Sequence, residues 1–284
     1  MVSLHRGEEL SESLVRHLIL NQIRFYRSKF VEEYGEIVIC CDSKHYWRRD
    51  YFPNYKVHRK KDREASGQDW DVIFSCLNTI RDELKEVFPY KVVEVYGAEA
   101  DDIIATLTRF VSNEIISSLI EPQEKMLILS SDKDFIQLHS DTVDQFSPVT
   151  KKMVNGKDPV KYLQEHILKG DRSDGVPNVL SSDETFVENI RQKPLRKTTI
   201  VTIMEAMIEY EPELLYHLAK CPEDTWRRNY RRNETLIDLS KIPDDVKEEI
   251  NKEYNRATVG ERNQLLNYFI EKRLTQLIDN VGDF

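Results

Sequence analysis

Apolar and polar positions alternate in distinct blocks along the first half of the chain, and each block predicts one secondary-structure element. Apolar residues at helical spacing predict helices over residues 11–34 and 67–88, and Gly35 is well placed to end the first. Continuous apolar runs predict buried strands, because a strand with one solvated face would alternate instead. These runs lie at residues 36–41, 91–95 and 125–131.

A further helix is predicted between the second and third strands, where it begins at Glu99–Asp102 and fades near Ile120. The order strand, helix, strand, helix, strand predicts one parallel sheet with right-handed crossovers. Residues 143–147 predict a short strand at the edge of that sheet. We therefore expect an α/β core over residues 1–155, followed by a helical domain over residues 156–284.

The second half of the chain has helical periodicity interrupted by one turn. Asp158 and Pro159 are a suitable N-cap and first residue for a helix that ends near Lys169. Residues 170–177 are rich in helix breakers and predict a tight turn. Further helices are predicted near residues 183–191, 194–209, 211–220, 245–255 and 260–279.

The composition is that of a globular chain: 284 residues, 40% hydrophobic and 32% charged. No apolar run approaches the roughly 18 residues of a membrane span. The start, Met1–Glu9, has no apolar region typical of a signal peptide. Four cysteines without a CxxC metal spacing predict a reducing, cytoplasmic setting.

Acidic residues cluster at the ends of the predicted elements. A helix N-terminus favours carboxylates, so capping alone explains a single cluster such as Glu99–Asp102. Four clusters at element ends exceed what capping requires. Sites in parallel sheets form beyond the carboxyl ends of the strands, so the first three clusters are expected to converge there. The clustered carboxylates are Asp42, Glu99, Asp101, Asp102, Asp132, Asp134, Asp171 and Asp174.

Convergence of so many carboxylates predicts bound cations, because like charges in one site raise each other's pKa sharply. No histidine or cysteine is expected to converge with them, which favours Mg²⁺ or Mn²⁺ over zinc. Two such ions roughly 4 Å apart can clamp the attacking and leaving oxygens of a phosphodiester. Structural calcium is the alternative, although the chain has no EF-hand spacing.

The net charge of −9 is unevenly distributed. The eight clustered carboxylates account for −8, whereas Lys44–Glu64 contains eight Lys/Arg against three Asp/Glu, a local +5. Residues 43–66 lack periodicity and interleave basic with aromatic side chains, which favours phosphate pairing and base stacking. The alternative is a solvated basic loop with a few aromatic side chains in the core. The aromatic residues are Tyr46, Trp47, Tyr51, Phe52 and Tyr55.

Several of these motifs, in this order, resemble the flap-endonuclease/5′-nuclease family, including its bacteriophage ribonucleases H. The likeness extends from Leu14 to Phe284. It implies a PIN-like parallel-sheet α/β nuclease core with a basic arch at residues 43–66, and a C-terminal helical domain containing a helix–three-turn–helix-like DNA-binding element. The motifs are Tyr46-Trp-Arg-Arg49, Glu99-Ala-Asp-Asp102, Ser131-Asp-Lys-Asp134 and Gly170-Asp-Arg-Ser-Asp-Gly-Val-Pro177.

The resemblance also implies roles for individual residues. Two metal ions are expected, the first held by Asp42, Glu99, Asp101 and Asp132, and the second, partly through water, by Asp134, Asp171 and Asp174. Asp102 supports the ligands from outside the metal shell. Arg48 and Lys56 are expected to act in catalysis. Lys56 and Arg59 are expected to be exposed and to contact phosphates, and the alternative for both is a solvated face. The expected nucleic-acid contacts are Arg48, Arg49, Tyr55, Lys56, Arg59, Gly170, Gly175 and Val176.

The implied activity is that of a magnesium-dependent 5′→3′ exonuclease and flap endonuclease acting on RNA–DNA hybrid and duplex DNA. Such an enzyme would remove RNA primers from lagging-strand fragments during phage replication in the host cytoplasm. A monomer is expected, with a single-strand DNA-binding protein and a sliding clamp as partners. A potassium ion at the turn is a further expectation of the family, although Leu180-Ser-Ser-Asp-Glu-Thr185 replaces the usual glycine and lysine continuation.

One family feature has no counterpart in the sequence. Family members begin with a strand whose Asp ligates the first metal, whereas here a helix leads directly into the strand at residues 36–41. This pattern predicts an N-terminally shortened nuclease. Its alternative is a DNA-binding replication accessory that has lost catalysis. A magnesium phosphotransferase or phosphatase is disfavoured, because no DxDx(T/V) motif opens a strand and the basic arch would have no role.

Overall fold

The computed structural model describes residues 11–117, 125–156, 158–208 and 223–284, which belong to two compact units. The described part of the first unit comprises residues 11–41, 67–93 and 252–284. The second unit comprises residues 42–66 and the described parts of 94–251. The division predicted at residues 155/156 stays a prediction.

The described elements are mostly helical, with short strands between them. The helices are α1 (Glu12–Tyr34), α2 (Trp47–Tyr51), α3 (His58–Ala65), α4 (Trp70–Val87), α5 (Ala100–Ser117), α6 (Pro159–Lys169), α7 (Lys197–Ile208), α8 (Glu223–Ile237), α9 (Asp244–Arg256), α10 (Leu265–Glu271) and α11 (Thr275–Ile278). The strands are β1 (Val38–Cys41), β2 (Lys91–Glu94), β3 (Met126–Leu129), β4 (Val143–Ser147) and β5 (Lys152–Met153). Short 3₁₀ segments occupy Lys133–Leu138, Leu239–Lys241, Arg262–Gln264 and Val281–Asp283.

The first unit packs α1 and α4 around an apolar core. Ser11 caps α1 by accepting a hydrogen bond from the Leu14 amide at 3.2 Å, and Gly35 ends the helix at φ +74°. The prediction for this helix is therefore confirmed. The largest fully buried side chains of the core are aromatic: Phe88, Tyr90, Phe269 and Phe284.

A buried ion-pair network joins α1 to α4 in the same unit. Arg16 is 4% exposed, and its guanidinium donates to both Glu83 oxygens, at 2.7 and 2.8 Å. Tyr268 and Lys272 also contact Glu83, at 2.7 and 3.2 Å. Burial opposes the ionised form of Glu83, but the hydrogen bond from Arg16 and its other partners lower its pKa overall.

The prediction of one parallel sheet is wrong for the described residues. β1 pairs with β2, whereas β3, β4 and β5 form a separate sheet. β3 and β4 are parallel, from Met126 opposite Val143 to Leu129 opposite Phe146, and β4 and β5 are antiparallel. The strand predicted at 143–147 exists but lies in the centre of its sheet. Apolar runs identify strands, but pairing depends on long-range contacts that such runs do not encode.

The helices at 159–169, 197–208 and 244–256 confirm three predictions. Residues 183–191 form turns instead of the expected helix, and the helix expected over 260–279 is broken at Arg273 by a positive φ of +56°. Residues 43–66 contain α2 and α3, so their lack of periodicity was misleading. Helix α8 was not predicted. The helix expected over 211–220 lies outside the described residues.

Candidate metal centre and nucleic-acid interface

Every predicted site residue belongs to the second unit. Asp42 follows β1, and its Oδ1 accepts a hydrogen bond from the Ala100 amide, 2.8 Å away, at the N-terminus of α5. The Ser43 amide donates to the Ala98 carbonyl at 3.1 Å. These bonds connect the end of one strand to the helix start that carries Asp101 and Asp102.

The most deeply buried cation of the site is Arg48, which is 2% exposed. Its Nη1 donates to Glu99 Oε2 and Asp102 Oδ2, both at 2.9 Å, and its Nη2 lies 2.7 Å from Asp102 Oδ1. Nε donates to the Leu236 carbonyl at 2.9 Å. Burial by itself lowers the pKa of Arg48, but Asp102, Tyr55 and Glu99 raise it overall, so the guanidinium stays charged.

Lys56 and Tyr55 connect Glu99 to Asp174. Lys56 Nζ lies 2.5 Å from Glu99 Oε1 and 3.4 Å from Asp174 Oδ2. The Tyr55 hydroxyl lies 2.6 Å from Asp174 Oδ2 and 3.1 Å from Glu99 Oε2. Burial lowers the pKa of Lys56, whereas Asp174 and Glu99 raise it and outweigh burial. Lys56 is only 8% exposed, which corrects the expectation of an exposed phosphate-binding side chain.

The exposed positive charge of the arch lies elsewhere on α2 and α3. Arg59 donates to Asp174 Oδ1 at 2.7 Å, yet its side chain is 43% exposed. Arg49 is exposed and lies over the Tyr46 ring at 5.0 Å. Lys60 and Lys61 are also exposed. These side chains form a surface on which phosphates can bind without first breaking a buried ion pair.

Asp101 and Asp132 belong to the same group of carboxylates. Burial raises the pKa of Asp101 to about 7; Lys56 opposes the shift, and Asp132, Glu99 and Asp42 add to it. Asp132 is exposed and caps the 3₁₀ segment that follows β3, with its Oδ1 accepting from the Asp134 amide at 3.0 Å. The carboxylates predicted for the first ion therefore influence one another electrostatically.

His166 lies between two of the carboxylates predicted for the second ion. Its Nδ1 is 3.2 Å from Asp134 Oδ1, and its Nε2 is 3.7 Å from Asp171 Oδ2. Burial raises the pKa of Asp134 to about 7, with His166 opposing the shift. Burial also raises the pKa of Asp171, but His166 and Ser173 lower it overall. The expectation that no histidine converges with the carboxylates is therefore wrong.

His166 could have been found from its spacing in the sequence. It occupies the last turn of α6, four residues before the Gly170 that ends the helix and five before Asp171. A residue in that turn lies next to the chain that leaves the helix. The convergence of strand ends gives no information about side chains in the last turn of a helix, so His166 was not predicted as a ligand.

The turn after α6 depends on two glycines. Gly170 has φ +67°, and a Cβ there would lie 2.4 Å from the Val176 carbonyl oxygen. Gly175 has φ +75°. Val176 is 1% exposed, and its amide donates to the Asp171 carbonyl at 2.7 Å. The nucleic-acid contacts predicted for these three residues stay predictions.

Helix α8 holds the chain that follows this turn. Asn233 Nδ2 donates to the carbonyls of Ile167 and Pro177 at 2.8 and 2.9 Å. Arg232 Nη2 also donates to Pro177, at 2.7 Å. Asn229 Nδ2 donates to the carbonyls of Val179 and Ser181 at 2.9 and 3.0 Å. Polar side chains buried on α8 therefore satisfy carbonyls that would otherwise lack partners. The carbonyls that accept these hydrogen bonds belong to Ile167, Pro177, Val179 and Ser181.

The aromatic residues of the arch are used mainly in packing. Phe52 and Tyr55 are 5% and 2% exposed, and Trp47 Nε1 donates to Asp102 Oδ2 at 3.2 Å. Tyr96, in contrast, is 81% exposed and stacks on His45 with ring centroids 5.2 Å apart. Tyr96 is thus an accessible aromatic surface three residues before Glu99.

The architecture of the chain is that of the α/β nucleases, rich in helices and with small sheets. It aligns with a bacteriophage T5 D15 flap endonuclease crystallised with DNA and metal ions at a TM-score of 0.59 and 16% identity, covering 89% of this chain and 93% of that one. It also aligns with a T5 5′-exonuclease with bound divalent metal ions (zinc), at a TM-score of 0.55 and 17% identity, covering 84% and 90%.

Sequence comparison identifies the family. Residues 16–166 match the model of the 5′-3′ exonuclease N-terminal resolvase-like domain, and residues 160–284 match that of the T4 RNase H C-terminal region. The chain is 37% identical to the ribonuclease H of Enterobacteria phage T4, over all of this chain and 91% of that protein. It is 26% identical to a 5′-3′ exonuclease of Buchnera aphidicola, over 66% of this chain and 69% of that protein. This chain belongs to the 5′-3′ exonuclease family.

None of the helices within the described ranges is both long and apolar enough to cross a membrane.

Proposed function

We propose that this chain is a 5′→3′ exonuclease and flap endonuclease that hydrolyses phosphodiester bonds of RNA–DNA hybrids and duplex DNA. The family match and the names of its relatives support this activity. In a replication setting, that activity would remove RNA primers from lagging-strand fragments of a phage in its bacterial host. The proposal includes a single-strand DNA-binding protein and a sliding clamp as partners, and a monomeric enzyme.

The observation that carries the proposal is one linked set of carboxylates beside a basic surface. Besides burial, Asp42, Glu99 and Asp132 raise the pKa of Asp101, and Asp132, Asp171 and Asp174 raise the pKa of Asp134. Oxygen donors at this density suit Mg²⁺ or Mn²⁺. Two such ions, when bound, would neutralise charge on the attacking and leaving oxygens of a phosphodiester. The proposed holders are Asp42, Glu99, Asp101 and Asp132 for the first ion and Asp134, Asp171 and Asp174 for the second.

The chain's own cations divide into two groups in this proposal. Arg48 is buried and bonds to Glu99 and Asp102, so we assign it the positioning of these two carboxylates. Lys56 has the same role between Glu99 and Asp174, and the substrate reaches its ammonium only where a phosphate oxygen replaces one of these carboxylates. Arg59 is an exposed cation that contacts the site directly, because it bonds to Asp174.

The turn at residues 170–177 and α8 are proposed to bind duplex DNA. Gly170 and Gly175 permit its tight course, and the side chains of Asn229, Arg232 and Asn233 stabilise the chain that follows. Because these side chains already occupy the carbonyls beyond the turn, we propose that duplex binding here does not require potassium.

The test is cleavage of a 5′-flap DNA and of an RNA-primed nicked duplex, with and without Mg²⁺. Asp132→Asn keeps the cap on the 3₁₀ segment, since asparagine caps as well as aspartate, but removes one charge. We expect cleavage to fall by orders of magnitude while DNA binding persists. Asp141→Asn, in an exposed turn, is the matched control and should cleave normally.

Two results would contradict the proposal. Cleavage by Asp132→Asn at the rate of the wild type would remove the carboxylate set from the mechanism. DNA binding without any cleavage by the wild type, in Mg²⁺ and in Mn²⁺, would instead favour the alternative of a replication accessory without catalysis.

A further inference from the structure

The imidazole of His166 completes a group of three ligand atoms around the place proposed for the second cation. One ring nitrogen and one oxygen each of Asp134 and Asp171 lie within 4.8 Å of one another. The three residues come from different local structures: the 3₁₀ segment after β3, the last turn of α6, and the first residue beyond Gly170. A divalent ion could therefore contact all three without unfolding any element.

The atoms facing this point have few competing partners. His166 Nδ1 is buried and makes no hydrogen bond to any described residue, although Asp134 Oδ1 lies 3.2 Å away. Asp171 Oδ1 accepts from the Ser173 amide and hydroxyl, at 2.6 and 2.7 Å, and from the Asp174 amide at 3.3 Å. These bonds leave the other oxygen of Asp171, Oδ2, facing the imidazole, 3.7 Å from its Nε2.

The group is held in place from both sides. Gly170 cannot accept a side chain, because a Cβ would collide with the Val176 and Pro177 backbone at 2.4 to 2.6 Å. This close packing fixes the path of the backbone from α6 to Asp171. The Gly170 amide donates to the His166 carbonyl at 2.9 Å and caps the end of α6 after Lys169. On the other side, Asp132 caps the segment that carries Asp134.

A nitrogen ligand changes which ion such a group prefers. Mg²⁺ favours oxygen donors and retains several waters, whereas imidazole suits transition-metal ions such as Zn²⁺, Fe²⁺ and Ni²⁺. We propose that His166 is a direct nitrogen ligand of the second cation, together with Asp134 and Asp171, and that this site selects divalent transition-metal ions over Mg²⁺. This inference rests on the proposed function only in taking the site to be a cation site.

The decisive measurement is pulsed electron paramagnetic resonance of Mn²⁺ bound to the full chain. A directly bound imidazole should produce a ¹⁴N modulation, which changes to the ¹⁵N pattern when the protein contains ¹⁵N-labelled histidine. His166→Gln should abolish the modulation and weaken Mn²⁺ binding at one site by tenfold or more, at least the loss that follows from removing an outer-shell partner. His17→Gln, in the first unit, is the matched control and should retain the modulation.

His166→Asp tests selectivity separately, because it keeps a ligand but replaces nitrogen by oxygen. The ratio of Mg²⁺ to Mn²⁺ dissociation constants, measured by calorimetry, should fall towards that of an all-carboxylate site. An unchanged ratio would contradict the proposal. So would the absence of nitrogen modulation in the wild type at saturating Mn²⁺, a result that requires no variant to fold.

The failures of this inference and of the proposed function are distinguishable. Flap cleavage in Mg²⁺ without nitrogen modulation in Mn²⁺ would overturn the role of His166 and leave the nuclease proposal standing. Nitrogen modulation without cleavage of any flap or primed substrate would overturn the nuclease proposal and leave the role of His166 standing.

Discussion

Replacing Lys56 by methionine tests whether a buried ammonium stabilises the carboxylate cluster. Methionine keeps much of the length of the side chain and removes its charge. The Lys56 side chain is 9% exposed and contacts Glu99 at 2.5 Å and Asp174 at 3.4 Å. Its loss leaves two largely buried carboxylates without that partner, and breaking such a pair costs about 3–5 kcal/mol.

Arg59→Met is the matched control, because Arg59 also contacts Asp174 but its side chain is 43% exposed. An exposed pair contributes about 0.2–1 kcal/mol. Since about 1 kcal/mol corresponds to a shift of about 2–4 °C in Tm for domains of 150–250 residues, Lys56→Met should lower Tm by about 6–20 °C and Arg59→Met by a few degrees at most.

The assay is urea and thermal unfolding in EDTA and again in Mg²⁺. A bound cation should take over part of the neutralisation, so Mg²⁺ should stabilise Lys56→Met more than it stabilises the wild type. Equal losses of stability in the two variants, with unchanged denaturant slopes, would refute the reasoning. That result would place Lys56 on the solvated surface, where its sequence context suggests it belongs.

Two further predictions concern other parts of the molecule. Arg16 and its neighbours lower the pKa of Glu83 in the folded state. The ionised Glu83 therefore stabilises the fold fully above the pKa of the unfolded chain, near 4.5, and this stabilisation is lost as pH falls through the lower pKa of the folded state. Glu83→Gln should therefore be less stable than the wild type at pH 7, and urea titrations should show the difference shrinking below about pH 4.5; a constant difference would contradict this. Tyr96→Ala should weaken binding of a single-stranded 5′ tail by about 1–3 kcal/mol in fluorescence titrations, whereas Tyr96→Phe should bind normally; equal binding by all three proteins would exclude stacking.

The parts of the fold that depend on local spacing were predictable from the sequence. Apolar periodicity located α1 and α4, and the Asp158-Pro159 pair located the start of α6. The carboxylates at the strand ends were also predictable, because the direction of the chain through a βα unit determines where its loops lie.

The parts that depend on long-range packing were not predictable. Lys56 lies in a strongly basic stretch, so its context indicates exposure, yet a left-handed backbone at φ +57° and the contacts with Glu99 and Asp174 accompany its burial. Helix α8 contains four Arg and two Asn side chains among its central residues, which obscures its apolar face. The buried Asn229 and Asn233 are partners of specific carbonyls, and no periodicity identifies such partners.

The carboxylates of the site are of two kinds: those that contact a basic side chain and those that do not. Asp102, Glu99 and Asp174 contact Arg48, Lys56 or Arg59, and Asp134 and Asp171 face His166. In the part of the chain that the structure describes, the remaining three contact no basic side chain: Asp42, Asp101 and Asp132.

This division separates the two proposed ions. Within the described ranges, three of the four carboxylates proposed for the first ion form no ion pair, although Lys56 acts on Asp101 electrostatically, so a cation binding there would displace no paired protein cation from these three. Asp174 already pairs with Lys56 and Arg59, so a cation at the second site must share that carboxylate with protein charges. Asp134 and Asp171 face His166, which must be neutral before it can bind the cation. The first ion should therefore bind more tightly than the second, and calorimetric titration with Mg²⁺ should resolve two affinities. Asp101→Asn should weaken the tighter of the two and Asp134→Asn the weaker; loss of the same step in both variants would contradict the division.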